Sequence, residues 1–362
     1  MNSDWKAFLQ EQGAVFISTP SENPELDKSD SENHLAFFNQ PESEMQISSQ
    51  ELLLSNPSER GLIKVNGADA ESFLQNQLTN DIRNVNDMSH QASAWCSPKG
   101  RIIANFRIFK QDDSYYLSLS ADLIEHVIKK LRMYVMMSKV EIEDVTHSVI
   151  HFTFAGKNAD KQIQKMLDIE VPADAETIRH NEITLLRSVL AGQDDSTRFD
   201  VFASDITQAK SFWSECNKLA SALSGAGSRY LNILSGLPEI TAKSSEAWIP
   251  QMVNYIHTKG VDFKKGCYPG QEVVARLNYL GKTKRRMYRL LIATEQQPAV
   301  GAVINSNKDT EAGKVLSAVV VADGLVEALA VLKIAEASNP LTLADNDATI
   351  SFLDLPYSVD DE

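Results

Sequence analysis

The residues best suited to chemistry stand together in one short run, Lys264 to Glu272, which reads KKGCYPGQE. Its two glycines and its proline predict a tight turn, and the apolar residues that follow predict a helix that begins at or just beyond the turn. Cys267 would then lie near a helix N-terminus, beside Lys264 and Lys265. The helix dipole and the two lysines both favour the thiolate, which is the nucleophilic form of cysteine. The run therefore predicts a reactive thiol at Cys267.

A purely structural interpretation of this cysteine stays open, because an intracellular cysteine is commonly a small buried hydrophobe. The three cysteines, Cys96, Cys216 and Cys267, match neither a C-x-x-C pair nor a zinc site in their spacing. An odd, sparse count fits a reducing compartment, and no metal site is expected. The first residues, MNSDWKAFLQEQG, lack the basic and apolar regions of a signal peptide, so we expect a cytoplasmic location.

Composition argues against several function classes. The 362 residues carry 35 Lys and Arg against 49 Asp and Glu, and the formal charge of −14 opposes non-specific binding to nucleic acid or to an anionic membrane. One compact basic cluster, Lys282 to Arg286, is either a solvated connection or a site for acidic groups such as RNA phosphates. Neither a P-loop nor a G-x-G-x-x-G motif occurs, so nucleotide hydrolysis and dinucleotide redox chemistry are not supported.

Hydrophobic periodicity predicts a mixed framework for these residues. A strand, a turn and a helix follow one another over residues 62–78, and a β-β-α-β succession covers residues 92–144. A second set of strands and helices covers residues 148–222, and residues 19–33 are typical of an exposed loop. From residue 287 onward only strand-like runs occur, including a hairpin that turns at Asp323-Gly324. The pattern predicts α+β architecture with an all-β end.

Several spaced segments together resemble one known family. KKGCYPGQE is similar to the signature of the YgfZ proteins, which are folate-binding relatives of the glycine-cleavage T-protein. In the same order, the chain also resembles that family in VNGADAESFLQNQLTNDI, SPKGRIIANFRIF, LNILSGLPEI, IPQMVNY and the closing LPYS. The resemblance covers most of the chain. It departs from the family at Arg60 and Ser228, where relatives carry tryptophans that bind folate.

The resemblance implies a ligand, tetrahydrofolate or a one-carbon derivative of it, in mono- or polyglutamylated form. Amides, a hydroxyl and a carboxylate in the segment from Gln75 to Asp81 suit the donor and acceptor edge of a pterin, with Asp81 as the main anchor. Helix capping and turn formation by the same side chains are an equally open interpretation. We expect Lys264, Lys265 and Cys267 to form the reactive centre. The expected folate-binding residues are Asn76, Thr79, Asn80, Asp81, Trp95, Lys99, Tyr268, Glu272 and Arg276.

One strand decides whether the chemistry of the aminomethyltransferases is expected. In those enzymes the strand after the matching glycine carries an aspartate that assists at the folate nitrogen. Here the residues after Gly100 are Arg101 to Asn105, with the sequence RIIAN, and no carboxylate stands among them. An asparagine cannot take up a proton as a carboxylate does. The chain is therefore not expected to be a classical aminomethyltransferase.

The resemblance also implies an architecture, a T-protein-like three-domain fold of the α+β class. It predicts a ferredoxin-like α+β module and a C-terminal antiparallel β-barrel around a central cleft. We expect a folate-binding core in two parts, residues 1–90 with an N-terminal arm and residues 228–285 with the KGCYPGQE motif. Residues 91–227 would form the inserted ferredoxin-like region, and residues 286–362 the barrel.

The function implied is that of an accessory protein that supports the assembly or repair of iron–sulfur enzymes, and thereby tRNA thiolation. Its partners would be folate and iron–sulfur assembly proteins or enzymes, with direct tRNA contact not required and no membrane involved. Two alternatives stay open. One is a tetrahydrofolate-dependent one-carbon enzyme, and the other is an RNA-binding protein that uses Lys282 to Arg286, a cluster that would equally suit a polyglutamate tail.

Overall fold

The structure is a computed structural model that describes residues 1–18, 33–39, 47, 51–172, 174–190, 195–306 and 310–359. The expected loop at residues 19–33 lies outside this part of the chain, apart from its last residue, which begins a strand. The helices are α1 (Ser3–Glu11), α2 (Ala70–Gln77), α3 (Ile124–Val135), α4 (Ala159–Leu167), α5 (Ile206–Asn217), α6 (Gly225–Leu234) and α7 (Gln271–Leu280). The strands are β1 (Ala14–Ser18), β2 (Asn33–Phe38), β3 (Leu52–Ser55), β4 (Arg60–Asn66), β5 (Gln91–Cys96), β6 (Ile102–Gln111), β7 (Ser114–Ser120), β8 (Glu141–Asp144), β9 (Ile150–Lys157), β10 (Thr177–His180), β11 (Ile183–Val189), β12 (Ser196–Ala203), β13 (Ala222–Leu223), β14 (Arg285–Ile292), β15 (Val303–Ser306), β16 (Thr310–Ala322), β17 (Leu325–Lys333), β18 (Leu341–Leu343) and β19 (Thr349–Leu353).

The first large sheet is antiparallel, with five strands in the order β5-β6-β7-β4-β8. Helix α3 follows β7. It forms a helix with one buried face because its apolar residues recur at helical spacing, and the buried side chains are Ile124, Val127, Ile128 and Leu131. Strand β4 pairs with β7 and β8, so this sheet extends across the boundary expected at residue 90. The domain boundaries themselves stay a prediction.

The second large sheet has six strands in the order β10-β11-β12-β9-β3-β13, and β13 pairs with β3 in parallel. Its core is rich in aromatic side chains, because α1 and α5 bring Trp5 and Trp213 against Phe152 of β9. Helix α5 ends at Asn217, five residues earlier than the apolar pattern predicts. The chain from there leads through β13 into α6, whose side chains complete the floor of the site described below.

The C-terminal region is a closed antiparallel barrel in the order β14-β17-β16-β15-β18-β19, as the sequence predicts. The hairpin at Asp323-Gly324 is confirmed, since Ala322 pairs with Leu325 and Gly324 has φ +68°. Strand β18 is the one barrel strand that the sequence does not reveal, because it has only three residues. Within the described residues, no helix is long and apolar enough to cross a membrane.

Candidate functional site

The KKGCYPGQE run forms a loop that we name the motif loop, residues 264–270, and it leads directly into α7. The helix begins at Gln271, just beyond the turn, as the sequence predicts. Gly270 has φ +80°, and a Cβ atom at this position would lie 2.4 Å from the carbonyl oxygen of Ser97 and 2.7 Å from the Cα of Gly100. Only glycine allows this approach. The motif loop is therefore packed against the turn that joins β5 to β6.

Cys267 lies exposed in this loop, whereas Cys96 and Cys216 are buried. Burial raises the pKa of Cys96 to about 12 and raises that of Cys216 further, so both stay protonated thiols. An exposed position is a requirement for a thiol that reacts with a partner. The assignment of Cys267 as the reactive thiol remains a prediction, and exposure removes one objection to it.

Lys265 has a structural task in the same loop. Its side chain is buried, and the ammonium donates to the backbone carbonyl oxygens of Gln75 (2.7 Å), Leu78 and Asn80 (3.1 Å). These carbonyl groups lie at and beyond the C-terminal end of α2, where a cation is favoured by the helix dipole. Burial lowers the pKa of Lys265 to about 8, although Asp81 opposes this shift. The ammonium is thus directed at α2.

The polar segment after α2 is largely engaged in structural bonds. The Thr79 hydroxyl donates to the carbonyl oxygen of Gly260 at 2.7 Å, and the Asn80 amide donates to those of Ala92 and Lys259, each at 2.8 Å. The Asp81 carboxylate accepts the backbone N–H of Arg83 at 3.0 Å and the guanidinium Nε at 2.8 Å, and it caps a short 3₁₀ helix. The role of Asp81 as a pterin anchor stays a prediction.

The other expected folate-binding residues divide by exposure. Trp95 and Tyr268 are buried, and the Tyr268 hydroxyl has no hydrogen-bond partner within the described part of the chain. Burial raises the pKa of Tyr268. Exposed side chains, by contrast, belong to Asn76, Lys99, Glu272 and Arg276. These residues surround the motif loop and do not converge on one cavity.

A cleft of about 1080 Å³ lies between the two large sheets and the loop that precedes the motif. Of the residues singled out from the sequence, Asn80 and Lys264 line it. A narrower recess of about 50 Å³ continues from the cleft and shares Arg107 and Arg198 with it. The cleft volume is slightly above the range of about 300–1,000 Å³ that is typical of sites that bind small molecules and cofactors.

A buried ionic network forms the floor between the cleft and the recess. The carboxylate of Asp200 accepts from the Arg198 guanidinium at 2.9 and 3.1 Å and from the Thr153 hydroxyl at 2.9 Å. Its second oxygen lies 3.5 Å from the Arg107 guanidinium, and the His151 ring nitrogen lies 3.8 Å from the oxygen that accepts from Arg198. Burial alone would raise the pKa of Asp200, but Arg198, His151 and Arg107 together hold it well below its usual range.

The floor carries more positive than negative charge. Arg60 pairs with Glu239 at 2.7 Å, so three guanidinium groups, those of Arg60, Arg107 and Arg198, face two carboxylates. Burial lowers the pKa of Arg107 to about 10, which leaves it charged at neutral pH. An excess cation in a largely buried floor favours a ligand with an anionic or electron-rich group.

Arg60 and Ser228, the two positions at which the chain departs from the resemblance noted in its sequence, have structural roles. Arg60 belongs to the recess, where it donates to the Ser118 hydroxyl at 3.2 Å as well as pairing with Glu239. Ser228 is buried beneath the floor, and its hydroxyl donates to the Thr153 hydroxyl at 2.8 Å. Both residues therefore contribute to the network around the recess.

Sequence reasoning missed this network, although a signal for it was present. Arg107 follows Phe106 in an apolar strand, and Arg198 and Asp200 alternate with buried apolar residues in β12. A charged residue at an inward position of a strand has to be paired, so two such positions on one strand indicate a buried polar site. Asn105, the residue singled out for the missing carboxylate, lines the recess, and its amide bonds the backbone of Pro238 and Ile240.

Two further features bear on the chemistry. Among the residues that the structure describes, no group of three or more His, Cys, Asp or Glu side chains could hold a metal ion. The basic cluster at Lys282 to Arg286 is partly structural, since Arg285 and Arg286 pair with Lys333 and Leu332 within the barrel.

Comparison with known proteins gives concordant results. Residues 8–188 match the family model described as the GCVT N-terminal domain. The tRNA-modifying protein YgfZ of Enterobacter sp. (strain 638) is 30% identical over 319 residues, which cover 86% of this chain and 94% of that protein. The protein of the same name from Yersinia pestis (strain Pestoides F) is 30% identical over 334 residues, covering 90% of this chain and 98% of the relative.

A solved structure gives the same fold. The glycine cleavage system aminomethyltransferase T from Bartonella henselae superposes with a TM-score of 0.69, covering 98% of this chain and 97% of the enzyme, at 15% sequence identity. The likeness confirms the T-protein-like fold of the α+β class predicted from the sequence. At this identity it is a likeness of fold alone.

Proposed function

The chain belongs to the family of YgfZ proteins and matches the GCVT N-terminal domain, and from that premise we propose that it binds a folate in the central cleft and supports tRNA modification. The observation that carries the proposal is the cleft of about 1080 Å³ with an excess cation in its floor. Relatives named for tRNA modification match the chain over nearly their whole length, which supports the same role here.

The donor set of the cleft fits a folate. A folate combines a flat heterocycle, which has donors and acceptors on its edge, with one or more carboxylates. Arg107 supplies a charged donor at the floor, and Lys264 and Lys259 supply ammonium groups to the wall. Asn80 lines the same wall, where its amide N–H groups are used by the carbonyl oxygens of Ala92 and Lys259. We assign Arg107 to the electron-rich edge or carboxylate of the ligand, and the lysines to a glutamyl tail.

Aminomethyl transfer does not follow from this site. The side chain of Asn105 is used to bond the backbone at Pro238 and Ile240, and an amide cannot serve as a proton acceptor. We propose instead that the folate-loaded protein assists iron–sulfur enzymes, including those that thiolate tRNA. Cys267 would be the group that meets the partner, because it is exposed in the motif loop. In this proposal the effect on tRNA is indirect.

Calorimetric titration with tetrahydrofolate, in mono- and polyglutamyl forms, tests the location of the ligand. Arg107→Gln should weaken binding at least about tenfold, because it removes a hydrogen bond from a charged group. Arg179→Gln is the matched control, since Arg179 pairs with Asp87 and does not line the cleft. Cys267→Ala should bind normally. Loss of binding in Asp81→Ala with full binding in Arg107→Gln would move the folate to the segment after α2 and contradict the cleft assignment.

The proposed role needs a separate test in cells. In a strain that depends on this chain, Cys267→Ala should lower the activity of iron–sulfur enzymes and the content of thiolated tRNA, while the purified variant keeps its affinity for folate. Cys216→Ala is the control, because Cys216 is buried away from partners. Normal iron–sulfur enzyme activity in the Cys267→Ala strain would contradict the role of the thiol.

A further inference from the structure

The C-terminal end of α3 presents a cluster of exposed apolar side chains that we name the α3 tip, residues Met133, Tyr134, Met136 and Met137. Their exposed fractions are 72%, 50%, 89% and 97%, respectively. Single apolar residues are common on protein surfaces, but four within five positions form a patch of the kind that marks an interaction site. The folate site and its network use none of them.

The backbone is strained at Met136, which lies within this cluster. Met136 follows α3 with φ 43° and ψ −106°, a conformation that glycine adopts readily and a long side chain does not. A non-glycine residue in such a conformation is characteristic of positions where the side chain has a task. Here the strain keeps two consecutive methionines in solvent.

The surroundings of the α3 tip carry more basic than acidic side chains, although the chain as a whole has a formal charge of −14. The carboxylates on this face include that of Glu246, 3.5 Å from Lys130, and that of Asp69, which accepts the backbone N–H of Lys139 at 2.7 Å. Residues 124–139 contain one carboxylate, that of Glu125, against four basic residues. The turn between β5 and β6 adds two more basic residues and no acidic one. These six are Lys99, Arg101, Lys129, Lys130, Arg132 and Lys139.

The α3 tip and the motif loop belong to one face of the molecule. The Tyr134 ring packs edge-on against Trp95, with ring centroids 6.3 Å apart, and Trp95 is the penultimate residue of β5. Lys130 lies 3.5 Å from the Glu246 carboxylate, and Arg101 donates to the backbone carbonyl of the same residue at 3.3 Å. Arg101 is the last residue of the turn that packs against Gly270 of the motif loop. The face thus extends from the α3 tip to the loop that carries the exposed thiol.

We propose that this face docks a partner protein whose own surface presents an apolar patch ringed by carboxylates. Methionine side chains are flexible and polarisable, so they adapt to irregular apolar protein surfaces. The basic rim would steer an acidic partner and fix its orientation. RNA is the less suitable occupant, because single-stranded bases stack on aromatic rings and three of the four side chains of the α3 tip are methionines.

Site-specific photocrosslinking tests the proposal in the full-length chain. A photoreactive benzoyl-phenylalanine replaces Met137 or, as a matched control, the exposed Met88, whose backbone carbonyl accepts from the N–H groups of Glu176 and Thr177 at the second large sheet. Cells that produce each chain are illuminated, and the products are identified by mass spectrometry. Position 137 should give a discrete protein adduct that position 88 lacks. The identified protein is then purified and titrated against the unmodified chain. In parallel, tRNA and anionic vesicles are each titrated against the same chain.

Variants decide whether the interaction has the proposed chemistry. Lys129→Glu combined with Lys139→Glu, and separately Met137→Ser, should each weaken binding of the identified protein about tenfold or more, and the affinity of the unmodified chain should fall as salt rises. Lys165→Glu on α4 should leave it unchanged. Tetrahydrofolate binding should be the same in all variants, so this inference fails or stands separately from the folate proposal. Adducts only with RNA, lipid or a second copy of the chain, or none beyond those of position 88, would overturn it.

Discussion

Asp200 is the carboxylate on which the charge balance of the cleft floor depends, and we predict that Asp200→Asn destabilises the fold by about 3 kcal/mol. Its side chain is only 4% exposed, as is that of Arg198. An asparagine keeps an acceptor oxygen for the two guanidinium bonds at 2.9 and 3.1 Å but loses the charge. A hydrogen bond to a charged group contributes about 1.5–3 kcal/mol and a neutral one about 1 kcal/mol, so each of the two weakens by about 1 kcal/mol.

Arg107 supplies the remaining part of this magnitude. Its guanidinium lies 3.5 Å from the second Asp200 oxygen and would lose its counter-charge, at a further cost of about 1 kcal/mol. The sum is at the lower end of the range of about 3–5 kcal/mol for breaking a buried pair. Urea unfolding at pH 7 measures it, with fluorescence from tryptophans such as Trp213, which is buried in the same part of the molecule.

The matched control is Asp160→Asn, which neutralises the partner of Arg187 in a pair whose side chains are 16% and 25% exposed. Because that pair is closer to solvent, we expect a loss below about 1 kcal/mol. The pH dependence gives a second criterion. The depressed pKa of Asp200 stabilises the fold above the pKa of an unfolded Asp, about 4, and this contribution is lost as pH falls toward the folded value.

Wild type and Asp200→Asn should therefore differ most near neutral pH and converge below pH about 4. Equal losses in the Asp200 and Asp160 variants would refute the claim that the floor network is the more strongly coupled one. A difference between wild type and Asp200→Asn that stays constant from pH 7 to pH 3 would refute the electrostatic origin of the effect.

Three other substitutions test the geometry around the motif loop and the α3 tip. Met136→Gly should raise the free energy of unfolding by about 1 kcal/mol, since glycine relieves the strained φ and ψ; an unchanged urea midpoint would contradict the strain. Gly270→Ala should destabilise by about 3 kcal/mol or more, because a Cβ would lie 2.4 Å from the Ser97 oxygen, and it should increase the protease sensitivity of the loop. Lys265→Met should cost about 2 kcal/mol at pH 7, measured by urea unfolding, because it leaves buried carbonyls without a donor. The cost should grow as pH rises from about 8 toward 10.5. In this range Lys265 of the folded wild type, whose pKa burial lowers to about 8, loses its proton and with it the cost of burying the charge, so the wild type becomes more stable.

The elements were predictable from local signals where those signals are periodic or sterically strict. The barrel hairpin followed from Asp323-Gly324 between two apolar runs, and the start of α7 followed from the glycines and proline of the motif. Such features depend on neighbours in the sequence. The short strand β18 was not predictable, because three residues carry too little pattern.

The site was only partly predictable, for a different physical reason. Arg107, Arg198 and Asn232 come from β6, β12 and α6, and long-range folding alone brings them together. The motif drew attention to residues around the loop, of which Lys264 reaches the cleft wall. Lys265 illustrates the limit further: its position beside Cys267 suggests activation of the thiol, whereas its ammonium is bound by carbonyl groups at the end of α2.

The bonds that fix the region before the motif also determine when it can form during synthesis. The Thr79 hydroxyl bonds the carbonyl of Gly260, 181 positions later, and Lys265 bonds the carbonyl of Asn80, 185 positions earlier. At about 5–20 residues per second, the ribosome needs about 10–40 s to supply the second half of these contacts. The carbonyl groups at the end of α2 therefore remain without these partners until the later residues have been synthesised. Contacts of such high sequence separation also form slowly. The exposed cysteine thus reaches its final setting only after most of the chain has been made, which delays its availability until the surrounding framework is in place.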